Sequence, residues 1–234
     1  MKTLKIAFLA FFAIAAVTGR TFAQSEETRS VSGFNGLATG SSFAVHVKID
    51  GTESLRLKGS PEDLRRIETV VEHGVLKIRL PRSHDWDDER IGHVDVYVSA
   101  KSLSLLEIGG SGSIDVEGVV KGDKVSVSVG GSGGISTAVE SSDLHVSIAG
   151  SGNVKMSGKS GDAKISVAGS GSLKAADLKV DEAEIGIAGS GDVRLEVEKT
   201  ISAHIAGSGS VLYTGNATIS NVSSAGSGRV SRVK

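Results

Sequence analysis

Residues 144–155 read Leu144-His145-Val146-Ser147-Ile148-Ala149-Gly150-Ser151-Gly152-Asn153-Val154-Lys155. Three aliphatic side chains alternate with polar ones, and a small-Gly-Ser-Gly tetrapeptide follows. Two positions beyond it another aliphatic begins the next run. Alternation at period two puts one face of a strand in a core and the other in water. The glycines suit a turn that needs positive φ, with a small serine between them able to bond the turn backbone.

Working outward, the same block recurs with a step of 18 to 21 residues. Its shared triplets are Gly110-Ser111-Gly112, Gly131-Ser132-Gly133, Gly150-Ser151-Gly152, Gly169-Ser170-Gly171, Gly189-Ser190-Gly191, Gly207-Ser208-Gly209 and Gly226-Ser227-Gly228. Ile108, Val129, Ile148, Val167, Ile187 and Ile205 precede six of these copies. Ile114, Ile135, Val154, Leu173, Val193, Val211 and Val230 follow all seven. No such unit buries its own apolar face, but stacked units close a continuous core. The repeat predicts an all-β chain, a parallel β-solenoid with right-handed coiling expected and the Gly-Ser-Gly turns in one column. Calcium-binding nonapeptides need an acid two residues after the last glycine, and Asp115 comes one residue late. Leucine-rich and hexapeptide repeats fit neither the composition nor the variable step.

Residues 33–108 carry the alternation without the sharp repeat: Val45, Val47 and Ile49 around His46 and Lys48, then Leu55 and Leu57, Leu76 to Leu80, and Val94 to Val98. They are expected to form irregular first coils of the same solenoid. A short helix should interrupt them, with Ser60 as N-cap, Pro61 in the first turn, Asp63 closing a capping box and an end near Glu68. At the far end, Ser220, Val222 and Ser224 occupy expected inward positions, and the basic tail 229–234 blunts the last edge.

Composition sets further bounds. The chain of 234 residues has 31 glycines, two prolines, no cysteine and a formal charge of −1. Met1 to Ala23 reads as a secretory leader: Lys2 and Lys5, an apolar run from Ile6 to Val17, and Thr21-Phe22-Ala23 before the cleavage point. Residues 24–32 are expected to be a flexible lead into a single domain at 33–234. Losing Lys2, Lys5 and Arg20 takes the charge from −1 to −4. A mildly acidic chain in which no basic stripe is read is not expected to bind nucleic acid. The apolar run is too short for a permanent span, and Gln24 offers no lipid-acceptor cysteine. An exported protein without a stable membrane anchor, periplasmic or extracellular, is expected.

Gly33-Phe34, Leu55-Arg56-Leu57 and Gly74-Val75-Leu76-Lys77-Ile78, continuing into the Gly-Ser-Gly turns, resemble the head-GIN domain family. The resemblance covers nearly all of the chain after the leader. It implies a β-helical fold similar to pectin-lyase-type solenoids and an adhesin role of the auto-transporter kind. The literal Gly-Ile-Asn motif is absent, its slots reading Gly134-Ile135-Ser136 or Gly152-Asn153-Val154. The length suits a head domain without a translocator barrel.

For chemistry, the serine column Ser111 to Ser227 reads first as turn residues bonded to backbone or to one another, and second as a ligand-facing stripe. Seven equivalent serines argue against a single activated nucleophile. The clustered stretch His84-Asp85-Trp86-Asp87 holds the one tryptophan beside carboxylates, an arrangement suited to glycan contact or, less naturally, a metal. An acidic loop of this kind reads first as simply solvated, and as a contact site second. No catalytic residue, cofactor site or metal site is assigned. The expected function is a non-enzymatic surface binder whose partner is a glycan or a cell-envelope surface. A polysaccharide-acting enzyme and a purely structural periplasmic protein are the alternatives.

Overall fold

The computed structural model describes residues 25–81 and 91–233, in sixteen strands and one helix. The segment Met1 to Ala23, expected to be a leader, and the cluster His84 to Asp87 lie outside the described residues. In chain order the elements begin with β1 Ser25–Arg29, β2 Gly36–Gly40, β3 Ala44–Ile49, β4 Ser54–Gly59 and α1 Pro61–Arg66. Then come β5 Glu68–Glu72, β6 Val75–Arg79, β7 Asp95–Ala100 and β8 Leu105–Gly110. The regular part is β9 Ser113–Gly131, β10 Gly134–Gly150, β11 Asn153–Gly169, β12 Ser172–Gly189 and β13 Asp192–Gly207. It ends in β14 Ser210–Thr214, β15 Thr218–Gly226 and β16 Arg229–Arg232.

From β9 onward every coil pairs parallel with the next and the repeat sits in register, Gly131 on Gly150, Gly169, Gly189, Gly207 and Gly226 in turn. Inward columns follow directly. Ile114, Ile135, Val154, Leu173, Val193 and Val211 stack as one buried file. Val129, Ile148, Val167, Ile187 and Ile205 form another. The chain is the parallel β-solenoid that the repeat predicts.

The two glycines of each turn serve different ends. The first adopts positive φ, +118° at Gly169. A Cβ there would also strike the carbonyl oxygen of Gly150 one coil below. The second, Gly171, is blocked by packing: a Cβ would stand 2.6 Å from the Gly152 oxygen and 2.5 Å from Ile148 Cγ2. The aliphatic before one turn therefore fills the space beneath the next. The serine between them bonds through its backbone, Ser170 N–H donating to Gly150 at 2.9 Å. None of the seven hydroxyls has a hydrogen-bond partner among the described residues, so the expectation that they bond backbone or one another is corrected.

The N-terminal region departs from simple coils. β2 lies parallel to β6 and β8, and β3 parallel to β7 and β9. But β4 runs antiparallel to both β1 and β7, and β5 antiparallel to β6. The β5–β6 connection is a two-residue turn, His73 (φ +52°) and Gly74 (φ +77°), the primed geometry that hairpins favour. The segment expected to be flexible instead supplies β1. Arg29 fixes it, donating to the Leu64 and Ile67 carbonyls at 2.7 and 2.6 Å, where a cation complements the end of a helix. Helix α1 has the expected Ser60 cap, accepting from Asp63 N–H at 3.1 Å, but ends at Arg66 because Glu68 already pairs in β5.

The last coil differs in register from its expectation. Ile219 lies on Ile201 and Val222 on Ala203, with a shift that drops Ser220 from the inward file. Ser220 Oγ donates to the Ile201 carbonyl at 3.2 Å. Ile219 and Val222 are 50% and 41% exposed, so the core is open here.

Outward faces join coils through ion pairs. Lys121 and Lys159 both reach Glu140 at 2.9 Å, and Lys164 reaches Glu184 at 3.0 Å. The two ammonium groups pull the Glu140 carboxyl from 4.5 down to about 2.

Two outcomes follow. Gly169→Ala should lower the unfolding free energy measured by urea titration by at least the roughly 1–3 kcal/mol of a strained φ, with the carbonyl clash added. Gly186→Ala, which meets no atom within 4 Å, should leave it unchanged or raise it; equal losses would refute the stacked-carbonyl account. Glu140 has a depressed pKa, so its contribution is complete above pH 4.5 and disappears as pH falls toward 2. The stability gap between wild type and Glu140→Gln should therefore close over that window, and a gap independent of pH would contradict the pairing.

Candidate functional site

The outward residues of β3, β4 and β7 meet because these strands share one sheet. Alternation turns Val45, Val47, Leu55, Leu57, Val96 and Val98 into the core, which leaves His46, Arg56 and Tyr97 on the outer face. The register then places Arg56 beside Tyr97 and Tyr97 beside His46. The His46 and Tyr97 rings stack at 5.1 Å with 25° between planes, and the Arg56 guanidinium stands 4.6 Å from the Tyr97 centroid. Both faces of the tyrosine are thus occupied, a geometry that favours cation–π and stacking attraction together.

Neighbouring groups fix this stack. Arg56 donates to Glu26 at 2.9 Å, and that carboxylate pushes the guanidinium pKa up. Asp95 Oδ1 lies 3.1 Å from His93 Nε2 and 3.8 Å from His46 Nε2. Apart from the stack, Asp50 accepts from the Thr52 hydroxyl at 2.6 Å, which together with the Thr52 N–H holds its carboxyl below the usual range.

On the side away from Tyr97, His46 borders Asp115, and Asp115 borders Ser136. Short side chains beside a tall stack leave a groove of about 590 Å³, lined by His46, Lys48, Tyr97, Asp115, Glu117 and Ser136 among others. A second groove of about 400 Å³ shares Ser136 and continues past Thr137, Lys155, Lys174 and Asp177. Together they run along the stacking direction across several coils. Such a surface offers an aromatic edge, hydroxyls and charges of both signs to an extended ligand.

Catalytic geometry is not assembled at the expected polar features. The turn serines are exposed, and none of their hydroxyls bonds a base among the described residues. His204 Nδ1 lies 2.7 Å from Ser223 Oγ, yet no carboxylate bonds the imidazole among the described residues. No group of three histidine, aspartate or glutamate side chains close enough to hold a metal ion occurs among the described residues. No described helix is long and apolar enough to cross a membrane.

The expected contact residues His84, Asp85, Trp86 and Asp87 lie outside the described residues. Sequence reading missed the Arg56–Tyr97–His46 stack. Its one signal was the alternation that turns His46 outward; which strands lie beside β7 was not written in any repeat.

Solved structures share this fold. A putative adhesin from Bacteroides fragilis superposes with a TM-score of 0.82 at 21% identity, covering 90% of this chain and 97% of that one. A putative lipid binding protein from Parabacteroides distasonis gives 0.71 at 24%, with the same coverage. A putative adhesin from Parabacteroides merdae gives 0.69 at 19%, covering 90% and 96%. No curated protein matches the sequence significantly. The family model described as putative auto-transporter adhesin, head GIN domain, matches residues 33–217, and the chain belongs to that family.

Proposed function

We propose that the protein is an exported, non-enzymatic adhesin-like binder that engages an extended glycan or envelope polymer along its outer sheet face. The observation that carries this reading is the Arg56–Tyr97–His46 stack walling a groove of about 590 Å³. Paired coils hold that face rigid, so little ordering is lost on binding. Repeated contacts along a polymer then add through effective concentration. Membership of an adhesin family supports binding over turnover. The leader at Met1 to Ala23 supports export.

Export is checked by expressing the full chain and sequencing the N-terminus of the secreted or periplasmic form. A start at Gln24 is expected, and retention in the cytosol with Met1 intact would exclude export. Binding is checked on a glycan array with Tyr97→Ala and His46→Ala. Loss of a ligand ring contact worth roughly 0.5–1.5 kcal/mol should weaken binding about two- to tenfold, while the melting temperature falls by no more than the few degrees that loss of the internal stack costs. Time-dependent cleavage of a polysaccharide by the purified protein would overturn the non-enzymatic reading, and unchanged binding by both variants would remove the groove from it.

A further inference from the structure

The in-register stacking that builds the core also sorts charge into columns, and one of these has no counter-charge. Ser136 lies beside Lys155, Lys155 beside Lys174, and Lys174 beside Arg194. All three cations are exposed, and none makes an ion pair or hydrogen bond among the described residues. Neighbouring coils stand about 4.8 Å apart, so these are like charges directly opposite one another, an arrangement that costs stability. Elsewhere the same register is used to neutralise charge, as in Lys121–Glu140–Lys159 and Lys164–Glu184. No run of basic residues betrays the column in the sequence. Its members stand 19 and 20 residues apart, one coil each.

The column continues the outer-face row. Read across the sheet, that row runs Arg56, Tyr97, His46, Asp115, Ser136, Lys155, Lys174, Arg194. The two grooves meet at Ser136, and the second is walled by Lys155 and Lys174. An aromatic stack, a floor of small polar groups and a file of unpaired cations therefore lie along one line parallel to the stacking axis.

Resting on the surface-binding reading above, we propose that this line is a site for an acidic polysaccharide, with acid groups on Lys155, Lys174 and Arg194 and a sugar ring against His46. A pyranose ring is about as long as one coil is high, so acids borne on each sugar, or on every second one, recur at whole multiples of the coil spacing. Asp115 on the floor and Asp177 beside Lys174 accept hydrogen bonds from sugar hydroxyls. The same carboxylates, with Asp192 two residues from Arg194, interrupt the positive field, which suits spaced acids better than a continuous phosphate backbone. An acidic file, Asp143, Asp162 and Glu182, stacks elsewhere. That file starts beside Lys124, and Lys199, held above its usual pKa by Asp181 and further by Glu182 and Asp162, stands on its flank. The cation file has no comparable neighbour of opposite charge within bonding distance among the described residues.

The test is titration of the purified protein with polygalacturonate, alginate and hyaluronan, and with fully methyl-esterified polygalacturonate as the uncharged match. Binding of at least one acidic polymer, weakened by added salt and absent for the ester, is expected. Lys155→Gln, Lys174→Gln and Arg194→Gln combined should weaken it about tenfold, the product of roughly twofold from each exposed ion pair. Lys121→Gln with Lys159→Gln, cations already paired with Glu140, should change it little. Failure of all three acidic polymers, equal binding of ester and acid, or an unaffected triple variant overturns the proposal. Preference for single-stranded DNA, or a triple variant that changes oligomeric state instead of polymer binding, overturns it as well. Equal binding of ester and acid that is lost in Tyr97→Ala leaves the groove reading standing and removes the charge reading alone.

Discussion

Every part of this molecule answers to one constraint: each coil lies in register on the last, at the spacing set by interstrand hydrogen bonds, about 4.8 Å. Where the chain turns, that spacing brings backbone onto backbone, and Gly150 leaves no space for a Cβ at Gly169. Two glycines per turn are the local cost. In exchange the turn backbone keeps its hydrogen bonds from coil to coil, Ser151 to Gly131 and Ser170 to Gly150, so no buried polar group is stranded at the corner. The same spacing makes each inward side chain the neighbour of its counterparts above and below. Files made mostly of valine, isoleucine, leucine and alanine then fill the interior, and the buried rings stand toward the ends, Phe34 and Phe43 at the start and Tyr213 on Leu195 near the finish.

Stacking without limit would leave two open ends, and the chain treats them differently. At the start, antiparallel β1 and β4, the β5–β6 hairpin and helix α1 replace the regular coil, with Leu64 buried and Arg29 tying β1 to the helix end. Reversal of direction ends the repeat, because an antiparallel strand offers no matching coil to continue it. At the finish, the inward file fades through Ile219, Val222 and Ser224, and no further strand pairs with β15 among the described residues. Serine and asparagine there lower the apolar area that an open edge would otherwise show.

How much of this was legible follows from the same constraint. A repeat encodes what depends on one coil and its neighbour: the turns, the inward files and the parallel register were all readable from residues 109–228. The capped short helix was readable because Ser60, Pro61 and Asp63 act locally. What the sequence hid depended on partners chosen across the fold. Arg56 and Tyr97 are 41 positions apart and meet only because β4 runs back against β7. His73-Gly74 marked a hairpin, yet it stood among residues whose alternation suited coils equally well. The turn serines misled in a smaller way, since their amide rather than their hydroxyl holds the corner.

Columns of charge carry the argument one step further. In a globular fold, a surface lysine chooses among several neighbours, so its pairing says little. Here the register allows each outward residue two cross-coil neighbours, one above and one below, and a column's sequence is effectively its electrostatic energy. Lys121–Glu140–Lys159 alternates in sign and stabilises the stack, as the depressed Glu140 pKa records. Lys155–Lys174–Arg194 does not alternate, and like charges directly opposite work against the stack where an opposite charge would have stabilised it. Nothing in the packing of β11, β12 and β13 demands three cations there, because the inward files beneath them are complete. A file that works against the stack, placed at the end of the groove walled by His46 and Tyr97, is better understood from what it faces outside the molecule than from anything inside it.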